Sequence, residues 1–536
     1  MFKISSIIKY LNKYVNRRIF KIMKNLSKNI KNLQLSIMIV PFAIILSLCF
    51  FFFTFPDETN AFFTAINPFF RDKMSIVYLV VNLFVFVMSI YFAFSKYGKI
   101  RLGGKNEKPQ FSFWEYGAMM FCAGVSGDII YYSYTEWIYY VNEPFIQSFD
   151  NPNNLFVNSY NMAQAHSFFF WSNYWLYLVL AVCFGFMMHV RKKSKHRFSE
   201  ALRPLFKDKI DGILGKVVDI FSVIAIISAV TCSLCFSPPI ITNCLHRLFN
   251  VPDTNMTTIL VLAIIFVIYS LSLYKGLKGI EKLSSICVTI FFIFLGYVLI
   301  FGGETRFILE SSFQQLGVFV DNIVPLFTYI DPTRKLTFAQ DYNVFYDAFW
   351  ITWAITVPFF IGIISKGRTI KQTILEGYLF AVPGTLVSFF IIPNHAIGKQ
   401  LSGAVDLLGQ YQQTHKMYDV VGSAISSLPL APIALFLISV SMIVFCSTSY
   451  DSLSYTCSHY SYKNLTSNQA PGKGVKQLWA TLLILLPIAI TYSNASYNNI
   501  KNIAVIAGFP GAILIVLVIV AAIKDFNLYL KENKIK

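Results

Sequence analysis

Long apolar segments alternate with short polar segments along nearly the whole chain. Each apolar segment is close to the roughly 17–25 residues that an α-helix needs to cross the hydrocarbon core of a bilayer. These segments are too many and too long to form the single buried core of a soluble protein. The pattern therefore predicts an all-α integral membrane protein with twelve spans, near residues 36–55, 75–96, 113–140, 165–189, 212–240, 257–274, 281–302, 342–364, 371–393, 428–457, 475–493 and 500–523.

Composition and charge indicate the same class of protein. Of the 536 residues, 55% are hydrophobic and 13% are charged, and a soluble domain of that composition would expose large apolar patches. The net charge of +18 raises the alternative of nucleic-acid binding. Lys and Arg are, however, concentrated in the short segments between apolar ones. The expected partner is therefore the lipid bilayer and not nucleic acid.

The basic residues also predict the orientation. Loop 141–163 contains no Lys or Arg, and in a twelve-span arrangement it faces the opposite side from every basic segment. Because cytoplasmic loops are enriched in Lys and Arg, we expect both termini on the cytoplasmic side of a bacterial cytoplasmic (inner) membrane. The basic segments are 1–34, 96–108, 190–209, 275–282, 365–371, 463–476 and the C-terminal tail.

The third apolar segment has small residues and an acid in its middle. It reads FCAGVSGDIIYYSYTEW, so that Gly124, Ser126 and Gly127 are followed by Asp128. Small residues allow either close helix packing or local unwinding of a helix. A carboxyl group is costly at that depth and usually faces a cavity or a partner. Transporters use interrupted helices of this kind to hold substrates and ions.

The eighth apolar segment presents an aromatic face. In FYDAFWITWAITVPFF, the residues Tyr346, Phe349, Trp350 and Trp353 follow the i, i+3, i+4, i+7 spacing of one helix face. The alternative interpretation is that these rings pack against lipid or the protein core. Pro358, just beyond them, is expected to bend the helix and open a cavity beside the face.

Both segments resemble the betaine/choline/carnitine transporter family, and so do several others. The third span is similar to the glycine stretch of that family, and FWITWA followed by ISKGRTI is similar to its most diagnostic segment. The resemblance covers about residues 36–525. The other similar segments are HSFFFWSNYW, LRPLFKDKIDGILGKVVDIFSVI, VTCSLCF, KGIEKLSS and CSTSYDSLSY.

The resemblance implies a LeuT-like fold and a homotrimer. Two inverted five-helix repeats, here spans 3–7 and 8–12, would follow two extra N-terminal helices. The domains would then be a basic cytoplasmic arm (1–35), two N-terminal helices (36–112), the first repeat (113–302), an external loop with an amphipathic helix (303–341), the second repeat (342–523) and a short basic cytoplasmic tail (524–536).

The resemblance also implies a secondary transporter for a small quaternary-ammonium solute. A trimethylammonium group has no N–H to donate, and aromatic faces bind it by cation–π interactions of about 0.5–2 kcal/mol each. Phe349 stands at a usual Trp of the family, and Asp347 replaces another Trp, for which the sequence offers no account. By resemblance, the cage residues are Tyr139, Trp171, Phe349, Trp350 and Trp353.

Asp128 favours choline as the solute. Choline carriers of the family have Asp at this position, whereas most betaine carriers have Gly. A carboxylate pairs with the bare cation of choline, but it repels a second carboxylate 4 Å away by roughly 4 kcal/mol at an effective dielectric constant of 20. We therefore expect choline import with Asp128 as the counter-charge. Sodium-coupled transport of glycine betaine or carnitine is the alternative, and Trp137 after Glu136 is a carnitine-type feature.

Asp128 and Tyr139 are too far apart to contact one choline molecule. Eleven residues of straight helix separate them by about 16 Å along the axis. Either the helix is broken at 124–127, or the two residues contact the solute at two successive binding positions on its path, with Trp353 nearer Asp128. We favour two successive binding positions.

The coupling ion is expected to be sodium or a proton, and no other cofactor is expected. By resemblance, the hydroxyl groups of Thr448 and Ser449 and the backbone carbonyl groups of Cys122, Val125 and Phe445 form a sodium site, since hard oxygen ligands suit a small cation. The alternative is that the two hydroxyl groups bond to their own helix. Asp128 is the candidate for carrying a proton with the solute.

Two other classes of function agree less well with the sequence. A membrane-embedded enzyme acting on choline or lipid headgroups needs metal ligands in a cluster or a nucleophile with its base, and the seven His are dispersed. An osmosensor would suit the basic arm, but the tail after residue 524 is short. The chain is therefore expected to be a transporter and not an enzyme.

Overall fold

The structure is a computed structural model that describes residues 32–533 except 105, 125–126, 151–157, 194, 276, 464 and 466–470. Side chains are described except at 121–124, 127, 273–275, 277–285, 287 and 451–452. Within these ranges the chain is almost entirely helical. It contains two isolated antiparallel bridges, Leu33 with Tyr462 and Arg101 with Thr369, and no β-strand.

Twenty helices of eight or more residues follow one another in the described parts of the chain. Shorter helical turns lie at Pro144–Gln147, Phe198–Ala201, Arg203–Phe206 and Ile323–Thr328. The twenty are α1 (Leu35–Thr54), α2 (Pro56–Pro68), α3 (Ser75–Phe94), α4 (Phe113–Gly124), α5 (Gly127–Tyr140), α6 (Ser159–Trp171), α7 (Trp175–Gly185), α8 (Ile213–Phe236), α9 (Pro238–Phe249), α10 (Asn255–Lys275), α11 (Leu277–Phe301), α12 (Thr305–Asp321), α13 (Val344–Trp353), α14 (Val357–Ile364), α15 (Ile370–Leu401), α16 (Leu407–Thr414), α17 (Met417–Ser426), α18 (Ala431–Tyr460), α19 (Lys473–Tyr492) and α20 (Tyr497–Glu532).

Nine helical segments of the described residues are long and apolar enough to cross a membrane, and two bent pairs raise the number to eleven. One pair joins Val288–Phe301 to Thr305–Asp321 at 108°, and the other joins Ala339–Trp353 to Val357–Ile364 at 53°. The remaining predicted span, 113–140, corresponds to α4 and α5 on either side of residues 125–126. The prediction of an all-α, multi-pass membrane protein is therefore confirmed.

Burial distinguishes central helices from peripheral ones. The most apolar part of the segment Ser159–Val190, which contains α6 and α7, is 89% buried inside the protein, whereas that of α1 is only 33% buried. Around the centre, α14 packs along α7, and α20 packs along both α13 and α8. The predicted aromatic segments of α6 and α13 thus lie in the interior and not against the acyl chains.

The helices that carry the predicted site residues are interrupted. Helix α6 ends at Trp171 and α7 begins at Trp175, while α13 ends at Trp353 and α14 begins at Val357. Pro358 lies in the first turn of α14, where its missing N–H would have had no helical partner in any case. Such breaks expose backbone polar groups, which a membrane protein tolerates only where other protein or a cavity surrounds them.

The turn at Gly367–Arg368 anchors the segment before α4 to the start of α15. The Gly367 N–H donates to the Leu102 carbonyl at 2.6 Å, and the Leu102 N–H donates to the Arg368 carbonyl at 2.8 Å. The Arg368 guanidinium donates to Glu376 at 2.7 Å and lies 3.8 Å from the centre of the Tyr116 ring. The SKGRT segment, part of the most diagnostic resemblance, therefore acts here as a structural clamp.

We expect Gly367→Ala to destabilise the protein by about 1–3 kcal/mol. Gly367 has a φ of +83°, and an added Cβ would lie 2.0 Å from the Lys108 carbonyl oxygen. Gly296→Ala is the matched control, because an added Cβ there meets no atom within 4 Å. Thermal unfolding in detergent, followed by size-exclusion chromatography, should show a lower transition temperature only for Gly367→Ala. Equal transition temperatures for the two variants would contradict the role of this turn.

Candidate solute-binding site

A buried carboxyl group joins three of the central helices. Glu136 of α5 is only 1% exposed. Its Oε1 atom accepts a hydrogen bond from the indole Nε1 of Trp171 at 2.7 Å and another from the hydroxyl group of Tyr346. Because Trp171 ends α6 and Tyr346 lies in α13, this one oxygen atom fixes the relative positions of two predicted aromatic segments.

Trp171 and Trp350 belong to one buried ring cluster. Their ring centres lie 6.3 Å apart, and both side chains are 5% exposed. The Trp350 ring also lies 5.3 Å from that of Tyr174 and 4.7 Å from that of Tyr177. The two tryptophans that the sequence predicts as cage members are thus brought together, although they are 179 positions apart in the chain (350 minus 171).

Tyr132 connects this cluster to Phe349. Its ring centre lies 5.2 Å from that of Trp171 and 6.3 Å from that of Phe349. Its hydroxyl group is buried and has no hydrogen-bond partner among the described residues. Tyr132 is not among the predicted residues, although it precedes Glu136 by four residues and therefore lies on the same face of α5.

Asp128 and Trp353 line a common small cavity of about 20 Å³, which is room for about one water molecule and must widen to hold a solute. The carboxylate of Asp128 accepts hydrogen bonds from the hydroxyl groups of Ser233, at 2.6 Å, and Ser237, at 3.2 Å. Both serines belong to α8 or its C-terminus and were not predicted. The lining residues are Asp128, Val230, Ser233, Leu234, Trp353, Cys446, Ser449, Tyr450 and Leu453. The cavity thus brings together Asp128, Trp353 and Ser449 of the predicted residues.

The rings of Phe349 and Trp353 link the cavity to the cluster. Their centres lie 6.4 Å apart. Phe349 faces Tyr132, as described above, and Trp353 faces the cavity. Aromatic surface is therefore continuous from the Asp128 cavity to Trp171.

Tyr139 lies in a separate group of tyrosines. Its ring stacks on that of Tyr497 at 5.0 Å and lies 5.7 Å from that of Tyr411. Its hydroxyl oxygen is 3.4 Å from that of Tyr131. In the described residues no ring contact joins Tyr139 to Trp171, Phe349, Trp350 or Trp353. The five predicted rings therefore do not form a single cage in this conformation.

Next to Tyr139, a buried lysine lies over three aromatic rings. The Lys501 ammonium group is 4.6 Å from the ring centre of Tyr342 and 5.0 Å from those of Phe345 and Tyr497. It donates a hydrogen bond to the Asp341 carbonyl at 2.6 Å. Lys501 is not among the predicted residues, and no local pattern indicates its role, since a Lys near a helix end usually reaches the membrane surface.

The predicted sodium ligands are only partly described. Val125 and the side chain of Cys122 lie outside the described residues. The Thr448 hydroxyl group donates to the Phe445 carbonyl at 3.0 Å, so two of the predicted ligands bond to each other within α18. Ser449 faces the Asp128 cavity. Across the described part of the chain, no three His, Cys, Asp or Glu residues meet in a group that would hold a metal ion.

A ring-lined cavity at the helix breaks of a multi-pass, all-helical membrane protein is the architecture of a solute transporter. Residues 36–531 match the family described as BCCT, betaine/carnitine/choline family transporter. The match extends over nearly the whole chain, so the chain belongs to that family. The resemblance seen in the separate motifs is thereby confirmed, and the protein is a transporter and not an enzyme.

The chain is similar to three transporters, two of which are named by their solutes. The chain is 29% identical to a carnitine transporter of Acinetobacter baumannii, over 82% of this chain and 79% of that protein. It is 28% identical to the glycine betaine transporter OpuD of Bacillus subtilis, over 89% and 92%. It is 27% identical to the uncharacterized transporter YeaV of Escherichia coli, over 83% and 90%.

Among solved structures, the chain is similar to a sodium-coupled sialic acid symporter in a substrate-bound, outward-open state. The TM-score is 0.42 and the sequence identity is 14%, with 84% of this chain and 86% of that chain covered.

We expect Glu136→Ala to weaken solute binding by roughly 10- to 100-fold, because a hydrogen bond to a charged group contributes about 1.5–3 kcal/mol. The loss would act through Trp171 and Tyr346, whose donors lose their acceptor. Titration of tryptophan fluorescence with choline, betaine and carnitine measures the effect.

Glu136→Gln should restore most of the affinity, since the amide oxygen accepts the same two hydrogen bonds. Glu310→Ala removes an exposed carboxylate of α12 and is the control. If Glu136→Gln binds as weakly as Glu136→Ala, the positioning role is wrong and the charge itself is required.

Proposed function

We propose that this protein imports choline by alternating access, with Asp128 as the counter-charge of the bound cation. The observation that supports this is the cavity that the Asp128 carboxylate shares with Trp353. When the cavity widens to admit a cation, that cation meets the Asp128 carboxylate on one side and the Trp353 ring on the other.

The hydrogen bonds of Asp128 favour a cationic solute. Two hydroxyl donors, Ser233 and Ser237, stabilise the ionised carboxylate without neutralising its charge. A quaternary ammonium group that enters the cavity supplies the opposite charge, and its methyl groups suit the indole face of Trp353. A zwitterionic solute brings a second carboxylate, and the repulsion of roughly 4 kcal/mol corresponds to about a thousandfold in affinity.

In this proposal Tyr139 belongs to a second binding position on the path of the solute. Tyr139 and its neighbour Tyr497 are reached from Trp171 through Tyr132 and Phe236, with neighbouring ring centres 5.0–6.1 Å apart. A cation that moves along this series never leaves aromatic surface. Phe349 and Trp171 both contact Tyr132, and Trp350 contacts Trp171, so these rings connect to the same series.

Glycine betaine or carnitine is the second candidate solute. Relatives named as carnitine and glycine betaine transporters support it, as does Trp137 after Glu136. A protonated Asp128 would no longer repel the carboxylate of such a solute. The two candidates therefore differ in the charge that Asp128 carries during transport.

We expect Asp128→Gly to reduce choline uptake at least tenfold more than betaine or carnitine uptake. Removing the carboxylate takes the counter-charge from a bare cation but relieves the repulsion of a zwitterion. Uptake of radiolabelled choline, betaine and carnitine into proteoliposomes measures the ratio. Asp208→Gly, which removes a fully exposed carboxylate, is the control. Equal losses for all three solutes would refute the assignment of Asp128.

Two ions are candidates for coupling. We propose sodium at Thr448 and Ser449, with the backbone carbonyl groups of Cys122, Val125 and Phe445, and a proton as the alternative. The contact of Ser449 with the Asp128 cavity supports the first, because it connects the ion site to the solute. The bond from Thr448 to the Phe445 carbonyl must then open when sodium binds.

Replacing external sodium by potassium should slow choline uptake at least tenfold if sodium is the coupling ion. Thr448→Val, which keeps the shape of the side chain but removes an oxygen ligand, should raise the sodium concentration needed for half-maximal uptake. Thr481→Val, in which an exposed hydroxyl group of α19 is removed, serves as the control. Choline uptake that does not depend on sodium but does depend on pH would instead assign the coupling to protons.

We further propose that the protein works as a homotrimer with both termini in the cytoplasm. The support is the family membership and the alternation of loops rich in Lys and Arg with loops poor in them.

A further inference from the structure

Asp347 is a buried acid on the helix that carries the predicted cage. It lies one turn before Trp350 in α13 and is only 1% exposed. The carboxyl group does not line the cavity described above. It faces α3 and the break between α6 and α7 instead.

One hydrogen bond to Asp347 is fixed in direction. The amide nitrogen of Asn82, in α3, donates to Asp347 Oδ1 at 2.7 Å. The amide oxygen of Asn82 accepts from the indole Nε1 of Trp175 at 2.6 Å. Since an indole N–H only donates, the orientation of the Asn82 amide is determined, and Oδ1 of Asp347 is an acceptor.

The second oxygen of Asp347 has no hydrogen-bond donor. Within the described residues, Oδ2 is buried and unpartnered. The side chain of Asn173, in the break between α6 and α7, faces the same carboxyl group, yet neither of its amide atoms completes a hydrogen bond. A proton on Oδ2 would change this, because the hydroxyl group so formed donates to the free amide oxygen of Asn173.

The titratable groups on the surrounding helices are engaged elsewhere. Tyr78 of α3 donates to the Val505 carbonyl, and Glu136 of α5 accepts from Tyr346 and Trp171. Lys501 of α20 donates to the Asp341 carbonyl. No ion pair in the described part of the chain includes Asp347. An ionised carboxylate there has at most the amides of Asn82 and Asn173 as donors and no positive charge beside it, which costs several kcal/mol, whereas the neutral acid accepts from Asn82 and donates to Asn173.

We propose that Asp347 is a proton-binding site that holds the aromatic cluster in its solute-binding arrangement. The proton binds Oδ2 from water and returns to water when α13 moves away from α3 and the break opens. Asp347 shares this break with Trp171, which directly precedes it, and shares α13 with Trp350. Ionisation therefore draws water to the position where the two tryptophans are held together, and it lowers the affinity for the solute.

The connection to solute affinity rests on the proposed function, but the protonation of Asp347 does not. The two statements are therefore tested separately. Asp347→Asn is the central variant, because its amide accepts from Asn82 and donates to Asn173, as the neutral acid would. Asp128→Asn and Glu136→Gln are matched controls, since each removes another buried carboxyl group.

The first measurement uses the solute-free, full-length protein in nanodiscs. Infrared difference spectra between acidic and alkaline pH should contain a protonated-carboxyl stretching band. We expect this band to persist in Asp128→Asn and Glu136→Gln and to be lost in Asp347→Asn. A spectrum in which Asp347→Asn keeps the whole band would overturn the proposal, whether or not choline proves to be the solute.

The second measurement is the binding of choline, and separately of glycine betaine and carnitine, as a function of pH. In the unsubstituted protein the affinity should fall as pH rises, by up to about tenfold per pH unit above the titration point, because only the neutral form keeps the cluster assembled. In Asp347→Asn the affinity should stay at its acidic value at every pH. The same fall with pH in that variant would reject the role of Asp347 in binding. The Asp347→Leu variant, which loses both hydrogen bonds, should bind the solute weakly at all pH values. Full affinity of the Asp347→Leu variant would also reject the role of Asp347 in binding.

Discussion

The arrangement of the central helices depends on the cost of placing carboxyl groups inside a membrane protein. Three acids, Asp128, Glu136 and Asp347, are each at most 2% exposed. Each meets donors from another part of the chain: serine hydroxyl groups, an indole with a phenol, and an asparagine amide. Because an unpaired charge at this depth would cost several kcal/mol, these donors cannot separate freely from their acids. Helices α3, α5, α6, α8 and α13 are therefore held in register by polar contacts.

The aromatic residues complement these acids. Glu136 orients Trp171 and Tyr346, Asp128 faces the same cavity as Trp353, and Asp347 lies one turn from Trp350. The Lys501 ammonium group lies over three rings and, among the described residues, forms no ion pair with a carboxylate side chain. In the proposed function, a cationic solute and a buried acid share the same aromatic surface, so the charge state of the acids would affect solute binding.

Much of the architecture was predictable because hydrophobic length is a local property. The apolar segments indicated the helices, and the motifs indicated the family, which the match over residues 36–531 confirms. The role of a motif was less predictable. SKGRT forms a clamp between α15 and the segment before α4, and Gly367 is required there by a contact with Lys108 that no local pattern reveals. Likewise, the i, i+3, i+4, i+7 spacing in α13 identified an aromatic face but not its partners.

The sequence by itself determined the membrane class, the helical content, the family and the residue types available for a cation site. Only the tertiary structure decided that Asp128 pairs with Ser233, 105 positions away, that Trp171 meets Trp350, and that Tyr139 stacks with Tyr497 and not with the tryptophans. The physical reason is that a span forms through its own backbone hydrogen bonds and its transfer into lipid. The neighbours of each side chain depend instead on how separate spans pack against one another.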